Sequence, residues 1–467
     1  MIIFSKRKKR LILLIPLILF SLNCFPKSSQ PLMLDDVIQS INYFYPQILI
    51  ARLEIIKSEG NYVNALGKFD PNLDVNTQSQ PVGGYINNYA DALFNIPTFY
   101  NGIQLFGGYR IGRGDWPVYY QNYLTNSGGE YRAGISMPLL RNREIDKTRV
   151  DVFTQEETIH MTQHDAAATK IRIYQEGIKV YWRWVEAGLQ LRTLNHLLNL
   201  AKKRQNAIIQ QAKQGALPKL SIAENLQLIV QREQLVNQGK MVFAQAGINL
   251  SLFYRDAKGN PLKAKANQLP ESFSTLPIQP NNIMLKLKNH PILCKLNNYS
   301  KIVKLKYNLA KNELLPNLDA TAYTFKQYGT GGDPLWLPQG AMIGVNLKFP
   351  IFQREARGKL ISAASELQQI RSQKKFTYEQ LYNEFSNLLI AIKIYRQQVI
   401  LLKKELHLAR KVENGETKKF YAGDSTLFLV NQREQTSAQV KLNWINARVN
   451  LNESIDVARY FLPKNNK

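Results

Sequence analysis

Two stretches of this chain, Thr148–Gln214 and Glu355–Tyr421, run for 67 residues each without a proline. As continuous helices they extend about 100 Å, at a rise of roughly 1.5 Å per residue. That is too long for a compact globular domain. Their apolar spacing indicates how they pack. Leu381, Phe385, Leu388, Ile392, Tyr395, Val399, Leu402, Leu406 and Ala409 step by four and three, the period of a left-handed coiled coil. Ile171, Tyr174, Ile178, Tyr181 and Val185 do the same in the first stretch. An ordinary amphipathic helix drifts out of that phase, so long helices packed on long helices are expected.

Each stretch ends at a glycine, Gly215 or Gly423. Residues that restart a helix follow, Pro218 in the first case and Asp424, Ser425 and Thr426 in the second. Glycine supplies a left-handed stop, and proline or a capping cluster begins the return. Two helical hairpins are expected, 148–253 with its tip at 215 and 355–461 with its tip at 423.

The hairpins belong to a duplicated unit. Tyr45-Pro46 precedes Phe69-Asp70-Pro71-Asn72-Leu73-Asp74, and at a constant offset of 245 His290-Pro291 precedes Leu314-Leu315-Pro316-Asn317-Leu318-Asp319. The prolines delimit one helix of about two dozen residues in each copy. The pattern then becomes extended. Tyr131, Ala133, Ile135 and Met137 alternate with Arg132, Gly134 and Ser136, and Ile343, Val345, Leu347 and Phe349 with Gly344, Asn346 and Lys348. Period two with one apolar face marks strands lying between two different solvents. They run into Pro138-Leu139-Leu140 and Pro350-Ile351-Phe352, where the offset has dropped to 212. The first copy thus holds 33 more residues between its strands, and Gly83–Gly129, rich in Gly, Tyr and Asn, reads as a loop.

The expected organisation is a signal peptide at 1–23 and a first repeat at 24–255, containing a helix, a β-hairpin at 73–138 and the first helical hairpin. A connector at 256–282 leads to a second repeat at 283–467, with a helix, a β-hairpin at 318–350 and the second helical hairpin.

Lys6-Arg7-Lys8-Lys9-Arg10 followed by apolar Leu11–Leu22 is an export signal, too short to span a bilayer as a helix. Ser21-Leu22-Asn23-Cys24 resembles a lipoprotein processing box with Cys24 as the lipidated residue; plain cleavage nearby is the alternative. Cys294 is the only other cysteine, so the exported chain has no disulfide framework. The formal charge of +26 falls to +21 without the basic residues of the signal. Lys and Arg are scattered along the helices, which suits a solvated basic surface rather than a nucleic-acid site. His160, His164, His196, His290 and His407 form no metal-ligand set, and nothing resembles paired catalytic carboxylates or a triad.

The long helices are too polar to lie in lipid, where only apolar helices or closed β-barrels satisfy every backbone polar group. The strands are therefore the spanning candidates. Four per chain cannot close a barrel, since the smallest membrane barrels have about eight, so copies must pool their strands. Aromatics around the hairpins, among them Tyr85, Tyr89, Phe94, Tyr109, Trp116, Tyr131, Tyr323, Phe325 and Trp336, suit interfacial girdles.

The succession of helix, Pro-Asn-Leu-Asp, strands, Pro-Leu-Leu or Pro-Ile-Phe, long helix, glycine tip and return helix resembles the TolC-like outer-membrane efflux protein family over about Leu34–Leu462. The resemblance implies an α+β membrane protein. Each duplicated helix-strand-strand-long helix-helix chain would form a homotrimer, with a 12-stranded outer-membrane β-barrel continued by a periplasmic coiled-coil α-helical tunnel. It implies no enzymatic activity and no cofactor. The implied role is the channel of a tripartite efflux or type I secretion system. Its partners would be outer-membrane lipid, a periplasmic adaptor and an inner-membrane pump, proton-driven or ABC, with no nucleic acid. The adaptor-contact tips fall at Gln214, Gly215, Ala216 and Leu217, and at Ala422, Gly423, Asp424 and Ser425. Some relatives carry an arginine and two aspartates near the second tip that latch and constrict the tunnel. Ser425, Leu429 and Gln432 stand there in this chain, which leaves Asp424 and Glu434 as the gate candidates. The reading from a different class is a non-channel periplasmic coiled-coil adaptor or envelope scaffold protein.

Overall fold

The computed structural model describes residues 31–270, 287–331 and 339–461. The expected signal peptide, Cys24, residues 271–282 of the expected connector and Trp336 lie outside them.

Pro46 and Pro291 each occupy the first turn of a helix, where an amide has no intrahelical acceptor to lose. In chain order the helices are α1 (Leu34–Phe44), α2 (Pro46–Leu66), α3 (Lys147–Lys213), α4 (Leu220–Ser251), α5 (Pro291–Asn312), α6 (Arg354–Tyr421) and α7 (Leu427–Phe461). The two long ones contain 67 and 68 residues. The heptad residues of α6 lie in phase: Leu381, Phe385, Ile392 and Leu406 are buried, and Leu388, Tyr395 and Val399 pack against the same core. The middle of α3 departs from a two-helix seam. Ile173, Gly177, Trp182 and Trp184 are buried alongside the expected Ile178, Tyr181 and Val185, because α1, α2, α4, α5 and α7 all pack on α3.

The strands are β1 (Asn72–Gln80), β2 (Asn87–Pro97), β3 (Gln104–Gly114), β4 (Glu130–Pro138), β5 (Asn317–Gln327) and β6 (Gln339–Lys348). All pair antiparallel in one sheet in sequential order. The expectation of four strands is corrected here: Gly83–Gly129, read as a loop, contains two further strands of 11 residues each. Pairing of β4 with β5, Ile135 opposite Ala322, fuses the two repeats into one wall. Four helices meet the same end of that wall, α2 leading into β1, α5 into β5, and α3 and α6 following β4 and β6.

The principal core sits where α1 and the ends of the return helices pack on the middle of α3. It gathers Val37, Ile41, Trp184, Val185, Leu250, Ile445 and Val449. A second core joins α5, α6 and α7 through Leu293, Phe385, Leu451, Ile455 and Phe461. No helix among the described residues is long and apolar enough to cross a membrane.

Candidate functional site

The tips are built by backbone geometry. Gly215 has φ 76° and Gly423 φ 86°, a left-handed conformation that costs any residue with a Cβ. Each glycine is followed by the same helix-closing bond: Ala216 N–H donates to the Gln211 carbonyl and Asp424 N–H to the Lys419 carbonyl, both at 2.9 Å. A bond spanning six residues across a left-handed glycine is the helix-terminating Schellman arrangement. Gln214, Gly215 and Ala216 are exposed, as are Ala422, Gly423 and Asp424; Leu217 and Ser425 are half-buried. The two tips lie side by side. Leu217 and Ile222 of the first hairpin pack with Ile208, Phe420, Leu427 and Val430 in one apolar cluster, while the Ser425 hydroxyl donates to Glu416.

The two gate candidates occupy different environments. Asp424 is solvent-exposed at the second tip. Glu434, 4% exposed, lies in the interior, about 10 Å up α7 from Leu427 at the helical rise. Its carboxylate is enclosed by guanidinium groups from the other hairpin, Arg204 on α3 and Arg232 on α4, the latter donating at 2.9 Å. Arg204 also donates to Asn431 at 2.5 Å and Arg232 to the Leu197 carbonyl at 2.6 Å. Burial lowers the pKa of both guanidinium groups, that of Arg232 to about 10 with the neighbouring Arg204 charge contributing. At about 10, Arg232 stays charged at neutral pH. Sequence reasoning singled out Glu434 and missed its partners. The available signal was charge at core positions, since Arg204 falls in phase with buried Ala201, Ile208 and Ala212, and Glu434 with Val430 and Ser437.

At the opposite end, strand alternation divides the sheet into two faces. Leu73, Val75, Ala90, Ala92, Phe94, Ile96, Leu105, Ile111, Ala133, Ile135, Ala320, Ala322, Ile343, Val345 and Leu347 share one face by register. Tyr109 and Tyr131 stand on it 4.9 Å apart, with Tyr328 next to Tyr131 at 5.7 Å, an aromatic cluster at one end of the strands. The other face carries Asn76, Gln78, Asp91, Arg110, Glu130, Arg132, Thr321 and Asn346. Arg110 donates to Glu130 at 3.1 Å, and Arg132 pairs with Asp91. The segment after β3 folds onto this polar face: Thr125 N–H donates to the Gly112 carbonyl at 3.0 Å, and Tyr123 and Trp116 pack on Tyr89. Among the described residues no group of three or more His, Cys, Asp or Glu side chains is placed to hold a metal ion.

No protein-family model and no curated protein sequence matches this chain. Solved structures do match it. The outer-membrane protein VceC of Vibrio cholerae superposes with a TM-score of 0.66 at 12% identity, over 92% of this chain and 95% of that one. The CmeC outer-membrane channel of Campylobacter jejuni gives 0.64 at 14% identity, over 92% and 85%. The open-state MtrE outer-membrane channel of Neisseria gonorrhoeae gives 0.64 at 12% identity, over 92% and 88%. The duplicated helical hairpins and the strand wall that joins them are thus the fold of the TolC-like outer-membrane channel chains.

Proposed function

We propose that this chain is the outer-membrane channel of a tripartite export system. The observation that carries the reading is the two-faced sheet, apolar on one side and charged on the other, set at one end of helical hairpins about 100 Å long with bare tips at the far end. A wall of that kind suits lipid outside and water inside. The helices, too polar for lipid, suit a periplasmic tunnel.

In this reading three copies assemble. Large apolar side chains left exposed on the long helices, such as Ile361, Phe376, Ile390, Ile394 and Leu401 on α6, are available to neighbouring copies. A periplasmic adaptor meets Gln214–Leu217 and Ala422–Ser425, and an inner-membrane pump, proton-driven or ABC, supplies the cargo. The chain passes that cargo and performs no chemistry on it. Closure divides between the two acids. Glu434, held by Arg204 and Arg232, clasps one helical hairpin to the other, and Asp424 is the carboxylate free to face the tunnel mouth.

Outer-membrane fractionation followed by conductance in planar bilayers tests the reading. A heat-resistant trimer in the outer-membrane fraction that forms discrete channels supports it. A monomer confined to the periplasm overturns it in favour of a coiled-coil adaptor or scaffold.

A further inference from the structure

We propose that the inserted β2–β3 hairpin is part of the membrane wall. Three copies, joined β6 to β1, then close an 18-stranded barrel rather than the 12-stranded barrel that the family resemblance implies. The inference rests on the trimeric channel reading and specifies the calibre of that channel.

Five observations place the hairpin in the wall. The hydrogen-bonded register is unbroken from β1 through β2 and β3 to β4, for example Leu73–Phe94, Ile96–Leu105 and Leu105–Ile135. Each inserted strand has 11 residues, enough to cross a bilayer when tilted. Their alternation keeps the sidedness of the other four: Ala90, Ala92, Phe94 and Ile96 of β2 and Leu105, Tyr109 and Ile111 of β3 continue the apolar face.

The ionic groups of the polar face also need the insertion. Glu130 on β4, fully buried, is paired by Arg110 of β3, and Arg132 on β4 is paired by Asp91 of β2. Arg132 reaches across β3 at Gly108, which stands between Leu93 and Arg132 in the register and has no side chain to obstruct it. A hairpin lying outside the wall would leave two opposite charges on each side without their partners.

The turn between β2 and β3 is anchored as well. Phe99 stacks on Phe69, just before β1, at 3.8 Å, and a Cβ on Gly102 would strike Pro138 at the end of β4. Among the described residues the outer edge of β1, whose nine residues are all exposed, and the outer edge of β6 pair with no strand. Unpaired edges are not tolerated in lipid, and a second copy of this chain supplies the complementary edge with the same two-faced alternation. Barrel diameter grows about linearly with strand number, so the lumen is about half again as wide as that of a 12-stranded barrel and about twofold larger in cross-section.

Disulfide scanning on the full-length chain in a Cys294→Ser background tests this. Val75→Cys on β1 is combined with Ile343→Cys, Val345→Cys or Leu347→Cys on β6, and separately with Ile135→Cys or Met137→Cys on β4, with copper-phenanthroline as oxidant. In the proposed wall β1 and β4 are about 14 Å apart, beyond disulfide reach. A β1–β6 crosslink between copies, giving a covalent trimer, is expected. A β1–β4 crosslink in a trimer overturns the 18-stranded wall and leaves the channel reading intact. Covalent dimers only, or no crosslink between copies, overturn both. Deletion of Asn87–Gly114 gives the second readout: about twofold lower conductance with the trimer retained is expected, and unchanged conductance overturns the proposal. If the deletion fails to fold, the crosslinks decide.

Discussion

Arg232 and Glu434, 202 residues apart in sequence, share a 2.9 Å hydrogen bond in the interior where the two helical hairpins meet. Arg204 contacts the other oxygen of the same carboxylate. Glu434→Ala therefore leaves two guanidinium groups buried without an anion, a loss of about 3–5 kcal/mol. Limited proteolysis is expected to cut near the tips of this variant while the wild type resists. Replacing Arg204, Arg232 and Glu434 together by leucine should restore most of the resistance, because apolar isosteres of a buried ionic cluster are close to neutral in stability.

Asp424 lies at the exposed end of the second hairpin and makes no such pair among the described residues. Asp424→Ala is expected to raise single-channel conductance and weaken cation preference, since a ring of carboxylates at a mouth binds cations and slows their passage. Unchanged conductance and selectivity would remove this acid from the gate.

His290 caps α5, its Nδ1 accepting the Ile292 amide at 3.4 Å, and its ring packs on Phe461. Burial lowers its pKa from 6.5 to about 4. An unfolded chain takes up the proton below pH 6.5 while the folded chain stays neutral until about pH 4. The stabilisation is thus complete above pH 6.5 and is lost as pH falls toward 4, by about 3 kcal/mol in all. His290→Asn retains a capping acceptor and should flatten the unfolding midpoint across that range relative to wild type.

Ile343 and Met342 are neighbours on β6 that point to opposite faces, by the alternation of a strand. Ile343→Arg places a cation on the apolar face, at about 2–4 kcal/mol near the bilayer midplane. Met342→Arg adds the same charge to the polar face. Only the first is expected to reduce recovery of trimer from outer membranes, and equal recovery of the two would contradict the assignment of faces.

Much of this arrangement is legible in the sequence. Gly215, Gly423 and Pro218 carry the signal for the turns, because such residues act through the backbone and need no partner to be understood. The long helices announced themselves by the unbroken heptads ending at Leu406 and Ala409. The inserted strands escaped notice for a physical reason. Small residues, Ala90, Ala92 and Gly107, interrupt their apolar face, while Leu93 and Phe106 sit on the polar face and blur the period of two. The clasp was missed because an arginine such as Arg204 on a basic chain reads as surface until the heptad phase is followed through it.

The insertion in only one repeat also sets the order of symmetry. In the proposed trimer each chain contributes two similar helical hairpins to the tunnel, while among the described residues its first half supplies four strands and its second half two. In an assembly of three, the tunnel retains an approximate sixfold arrangement while the wall keeps only a true threefold. Ligands that bind around the tips can meet six near-equivalent seats; those that bind the outer face meet three.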